Sequence, residues 1–168
     1  MISKPLRFRD ASLVDVAQVT AIHNAVAGAL TARYGEGHWS SLTSERSTQL
    51  SMKHARVRVG RIGSRVVSVL RLATRKPWAI DVDYFTPVKR PLYLTGMAVD
   101  VAMQVRGVGR RALEDAVAIA RRWPADAIRL DAYDAPAGAG GFYAKCGFVE
   151  RGRVAYKGAP LVYYEFVF

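Results

Sequence analysis

The chain has one cysteine, Cys146, which excludes an internal disulfide and any cysteine-rich zinc site. It has no apolar run approaching the ~20 residues that span a bilayer, and its opening segment, MISKPLRFRD, lacks the apolar core of a signal peptide. A cytoplasmic protein with no membrane role is expected. Acids are few: 14 Asp and Glu stand against 25 Lys and Arg, a net charge of +11. Such an excess attracts phosphates, anionic lipids or nucleic acid without choosing among them. Most of the arginines are scattered, as in RVRVGRIGSR (56–65), whereas a nucleic-acid reader concentrates them beside exposed aromatics. No nucleic acid is expected as a partner, and the excess reads mainly as solvated surface. Repeats, low-complexity tracts and linkers are also missing, so 168 residues, 51% of them apolar, read as one globular domain over 1–168.

What is present has a clear order. KPLRFR (4–9) reads as a short strand, and Ser12 with Asp15 makes a capping box that opens a helix. Leu13, Val16, Ala17, Ile22, Val26 and Leu30 recur at helical spacing until Gly35 and Gly37 end the segment. A second helix is expected over 43–53, anchored by Leu42, Leu50 and Met52. From Arg56 the period becomes two, and RVRVGRI, Gly63-Ser64 and RVVSVLRLA read as an antiparallel hairpin. Three prolines make 74–91 irregular, a segment placed to cross an active-site face. PLYLTGMAVD (91–100) is a strand whose interior Gly96 signals a bulge or a close backbone approach. Ala112, Leu113, Ala116, Val117, Ala120 and Trp123 mark one face of a helix that Pro124 stops. A strand over 127–133, a short helix ending at Gly147, and strands near 148–154 and 161–168 complete an α/β domain with a mixed sheet.

Between the Gly96 strand and the best-defined helix lies Gln104-Val105-Arg106-Gly107-Val108-Gly109-Arg110. Glycines without Cβ atoms let backbone N–H groups converge, and the helix N-terminus adds partial positive charge, so the loop suits a pyrophosphate. Arg106, Arg110 and Arg111 add fixed charge. Taken alone, a Gly-x-Gly also describes a tight strand-to-helix turn. The loop lacks the third glycine of a dinucleotide fingerprint and the Gly-Lys-Ser/Thr ending of a P-loop, which argues against dinucleotides and nucleoside triphosphates.

The loop resembles the signature of the GNAT superfamily of N-acetyltransferases, Gln/Arg-x-x-Gly-x-Gly/Ala, through Gln104, Gly107 and Gly109. The family's second signature, a Tyr on a short helix followed by Gly-Phe, is similar to Phe142-Tyr143-Ala144-Lys145-Cys146-Gly147-Phe148. The resemblance implies a mostly antiparallel mixed sheet flanked by helices, with strands splayed at a cofactor slot. It implies acetyl-CoA as acyl donor, with its pyrophosphate on the amides of Val105, Arg106, Gly107, Val108, Gly109 and Arg110 beside Gln104. It places the pantetheine arm along Met97, Ala98 and Val99, and Tyr143 at the leaving thiolate. One position departs: Pro136 stands seven residues before Tyr143 where family members often carry Asn, so that a CoA contact is either missing or replaced by Asp134.

Acyl transfer to an amine also needs a group to take the amine's proton. Asp81, Asp83 and Glu36 are the candidates, since they lie in irregular segments before the catalytic strand, although each alone also reads as surface charge. His38 could line the amine pocket, and His23 and Asn24 on the first helix could face substrate, but none carries a distinguishing mark, and Cys146 reads as a core residue. The acceptor is a primary amine of a small molecule or a protein, and a homodimer is compatible with the family. A CoA-binding sensor without turnover is the rival reading, and the retained Tyr143 favours turnover.

Overall fold

In the computed structural model, which describes residues 4–168, the β-branched runs pair first with their neighbours in sequence. Strand β1 (Leu6–Asp10) lies antiparallel to β2 (Arg56–Ile62), which lies antiparallel to β3 (Arg65–Ala73). The hairpin turns at Gly63, whose φ of 61° suits a residue without a Cβ. Helix α1 (Val16–Tyr34) starts after Ser12, whose N–H donates to the Asp15 carboxylate at 2.8 Å, and stops at Gly35, φ 80°. Helix α2 (Glu45–His54) is capped by the Ser44 hydroxyl, which accepts from the Ser47 N–H at 3.2 Å.

Beyond these come β4 (Pro91–Val99), α3 (Val108–Arg122), β5 (Ala127–Tyr133), α4 (Gly140–Lys145), β6 (Val149–Tyr156) and β7 (Ala159–Val167). The seven strands run in the order β1-β2-β3-β4-β5-β7-β6, with helices flanking a mostly antiparallel sheet, as the sequence implied. The parallel pair, β4 with β5, is joined only over Pro91–Tyr93 and Ala127–Arg129. Each strand continues past that pairing, β4 to Val99 and β5 to Tyr133.

The chain forms two compact units, one holding the described residues up to Leu72 together with Gly96–Ala116, the other Ala73–Thr95 with Val117–Phe168. In the first, Val19 and Ile22 of α1 pack on Val57, Val59, Val66, Val69 and Ala98. The apolar face of α1 is the expected one in part: Val16 and Ile22 are buried and Val26 packs against the core, but Leu13 is 73% exposed and Ala17 is exposed, while Val19 and Ala27, not foreseen, are buried. Leu42 and Leu50 are exposed as well, and the buried residue of α2 is Thr48, whose hydroxyl shares a hydrogen bond with Thr20 at 2.7 Å. Of the expected anchors Met52 does pack against the core, and a polar pair satisfied in the interior stands beside it in place of the two leucines. The expectation that no segment approaches membrane length also needs correction: Leu13–Tyr34 is long and apolar enough, by length and composition, to cross a bilayer. Here it serves as the core helix of this unit, its Val19 and Ile22 buried against the hairpin.

The second unit packs Ile80, Phe85, Tyr93 and Tyr163 together. Beside them Arg129, 4% exposed, is held by Glu165 at 3.0 Å and by the Thr86 carbonyl at 2.6 Å. Helix α3, which begins in the first unit and ends in this one, buries Ala112, Leu113, Ala116, Ile119 and Ala120, while Trp123 stays partly exposed. The scattered arginines are therefore not all solvated surface: Arg58 and Arg129 are buried in ion pairs.

Candidate active site

In the first unit the chain leaves β4 through a 3-10 turn at Val101–Met103, where the Asp100 carboxylate accepts from the Ala102 N–H, and enters α3 at Val108. Asp100 also donates its N–H to the Val67 carbonyl at 2.9 Å and pairs with Arg65, which fixes the end of β4. Gln104 folds back to give its side-chain N–H to the Val99 carbonyl at 3.1 Å. The loop then takes two left-handed residues, Val105 at φ 60° and Gly107 at φ 79°. For a β-branched residue this costs on the order of 1–3 kcal/mol, and Val105 sits wholly in solvent with no packing to repay it. Such a cradle of alternating backbone handedness turns successive N–H groups to one side. The space where a Gly107 side chain would project is open, with no atom within 4 Å. Gln104, Val105, Arg106, Gly107 and Arg110 are exposed, and Val108 is buried as the first anchor of α3. Upstream, Ala98 is buried while Met97 and Val99 are half-buried, and all three lie past the last β4–β5 pair.

The same unit holds a cavity of about 240 Å³. Val19, Val57 and Val69 form its apolar wall, and the hydroxyl residues Thr43, Ser47, Thr48 and Ser51 line the side of α2. His23, Arg71 and Gly96 complete the lining. Gly96 is left-handed, φ 57°, and a Cβ there would stand 2.5 Å from Nη2 of Arg71 and 2.6 Å from its Nε. The glycine is thus the position that admits the guanidinium. The Gly96 carbonyl is bonded to His23 Nε2 at 2.8 Å. A carbonyl only accepts, so Nε2 carries the proton. Burial, and after it the nearby Arg71 charge, lowers the His23 pKa, so the ring is neutral and Nδ1 carries the lone pair. Asn24 ties α1 to the start of α2 by exchanging hydrogen bonds with the Thr43 backbone at 2.9 and 3.0 Å. Sequence reasoning noted that His23 and Asn24 could face substrate without singling them out, and passed over Arg71. The signal it had was an arginine in line with Val69 on a strand that is apolar on both faces.

In the second unit Tyr143 sits on α4, 7% exposed, with its ring against Phe142, Phe148 and Tyr164 at centroid distances of 5.4, 5.9 and 6.0 Å. Gly147, φ 90°, closes this short helix as expected. Burial, then the neighbouring Asp131 and Cys146, push the Tyr143 pKa up, so its phenol is a proton donor at any physiological pH. Asp131 itself is raised by burial, an unforeseen feature. Asp134 is engaged by Arg153 at 2.9 and 3.1 Å. Asp81 and Asp83 are exposed, and Asp81 caps a 3-10 turn by accepting the Asp83 N–H at 3.1 Å. Asp81 borders an open groove of about 630 Å³ with Trp78, Tyr84, Tyr156 and Tyr163. In the first unit Glu36 lies exposed in the loop after α1. Among the described residues no group of His, Cys, Asp and Glu could hold a metal ion.

The model of the acetyltransferase (GNAT) family matches residues 24–148. No curated protein matches the sequence. Among solved structures the chain is similar to a ribosomal-protein-alanine N-acetyltransferase from Brucella melitensis, at 17% identity and a TM-score of 0.74 over 96% of this chain and 99% of that one. An N-acetyltransferase from Staphylococcus aureus gives 15% and 0.73 over 97% and 98%. The yncA protein of Salmonella typhimurium, with its cofactor acetyl-CoA, gives 16% and 0.68 over 96% and 93%. At these identities the likeness is one of fold.

Proposed function

Because the chain belongs to the GNAT acetyltransferase family, we propose that it is an N-acetyltransferase that moves the acetyl group of acetyl-CoA to the primary amine of a small molecule or a protein. The observation that carries the reading is the loop Gln104–Arg110, with left-handed residues at Val105 and Gly107 directly before α3. Its exposed backbone and the open space at Gly107 fit a pyrophosphate, held by the amides of Val105 through Arg110. The backbone of Met97, Ala98 and Val99, past the last parallel pair, holds the pantetheine arm as an added strand would be held. The cofactor supplies the thioester. An N–H of Ala98 or Val99 donates to the thioester oxygen as negative charge develops there. The amine's proton goes to Asp81, Asp83 or Glu36, directly or through water, and Tyr143 gives its phenolic proton to the sulfur as the carbon–sulfur bond breaks.

Two variants test this reading at separate steps. Gly109→Glu puts a carboxylate into the phosphate loop and is expected to abolish acetyl-CoA binding in a protein that still melts cooperatively. Unchanged affinity by calorimetry would remove the loop from the site. Tyr143→Phe keeps the ring contacts and is expected to lower kcat by about 10²-fold with little change in KM. Wild-type turnover would leave Tyr143 as packing alone.

A further inference from the structure

Arg71 is a half-buried cation that meets no carboxylate among the described residues. Its Nε is out of solvent and has no hydrogen-bond partner among the described residues. Burial alone moves its pKa, downward, with no carboxylate or carbonyl acting against it. The cavity around it contains no Asp or Glu. A guanidinium N–H buried without a partner is destabilising unless something pairs with it. The glycine at 96 is what makes room for it, so the arrangement is built into the backbone of β4.

We infer that the acceptor is a small amine that also carries an oxyanion, a carboxylate or a phosphonate, and that this oxyanion pairs with the Arg71 guanidinium inside the cavity. The inference rests on the acetyl-transfer reading and names its substrate class. Arginine suits the task because its planar fork meets two oxygens at once. Ser47 accepts from the Ser44 hydroxyl at 3.1 Å, which leaves its own proton to donate to an anion. The neutral His23 ring offers a nitrogen lone pair to a bound ammonium or amine without adding repulsion. Size narrows the class further: 240 Å³ is room for roughly eight waters at ~30 Å³ each, which suits a compound the size of an amino acid. Gly96 adjoins Met97, Ala98 and Val99, so an acceptor anchored at Arg71 presents its nitrogen beside the strand that holds the thioester.

The test uses the full chain with CoA present and calorimetry as the readout. One arm is a panel of amino carboxylates, a second the matching aminophosphonates, and a third the carboxamides and simple alkylamines that lack the charge. At least one oxyanion is expected to bind, and to bind at least about tenfold more tightly than its uncharged analogue. The arm that binds identifies the oxyanion. Arg71→Met should erase that preference, and Arg71→Lys should restore part of it. Equal binding of charged and uncharged amines, binding of neither, or a preference that survives Arg71→Met would overturn the assignment. CoA affinity, measured first, reports on the acetyl-transfer reading separately. A wild-type protein that discriminates oxyanions without binding CoA would sink that reading and keep the site.

Discussion

Arg58 and Arg71 sit on adjacent strands of one hairpin, and their surroundings differ in one respect. Arg58, on the face covered by α3, meets Asp115 through two hydrogen bonds of 2.8 Å and Asp10 through a third of 2.9 Å. Arg71, register partner of Val57 on the face covered by α1 and α2, meets valines, hydroxyls and a neutral histidine. Asp115's hydrogen bonds hold the Arg58 pKa up, while burial pulls that of Arg71 down. The same side chain is a structural pin on one face and an unsatisfied charge on the other. What differs is whether the covering helix brings a carboxylate.

The largest effect is expected from breaking the paired side. Asp115→Ala leaves Arg58 with Asp10 alone, which is itself 53% exposed, and should cost about 3 kcal/mol in urea unfolding. A loss below 0.5 kcal/mol would show that Arg58 is solvated and that the two faces are alike. On the unpaired side the sign should reverse. Arg71→Met removes a charge with no partner, and the apo protein should gain about 1 kcal/mol, a stability now given up for binding. A loss instead would mean that the fold does use the guanidinium.

The smallest effect is a pH dependence. His23 has a folded pKa below its ordinary 6.5, so in acid the unfolded chain binds the proton before the folded one does. Its contribution to stability is complete above about pH 6.5 and falls as the pH drops toward the folded pKa, by at most about 1.4 kcal/mol per pH unit. His23→Gln should flatten that acid limb, and an identical limb would place the ring in solvent. An oxyanion held at Arg71 should also raise the His23 pKa in NMR titration, because Arg71 is one cause of its depression.

Much of the frame was legible in the sequence because local chemistry fixes it. The Ser12–Asp15 box, the hairpin at Gly63, the breaks at Gly35 and Gly147 and the loop 104–110 each depend on a few neighbouring residues and stand where the sequence put them. The faces of α1 and α2 were harder to read. Leu13, Leu42 and Leu50 carry the periodicity and lie in solvent, while Thr20 and Thr48 are buried because each finds the other. Asp15 doubles as a helix cap and as the fully buried anchor of Arg9 and Arg61, and only the cap can be seen in four residues of sequence.

By itself, then, the sequence determined the order of elements, the loop 104–110 and the tyrosine helix, since turn, cap and signature residues act over short stretches of chain. Only the tertiary structure decided the fate of the arginines. Arg56, Arg58, Arg61, Arg65 and Arg71 share one kind of strand context. A charge is stabilised or stranded by groups distant in sequence, Asp115 for Arg58 and Gly96 for Arg71, and the fold alone sets which of them it meets.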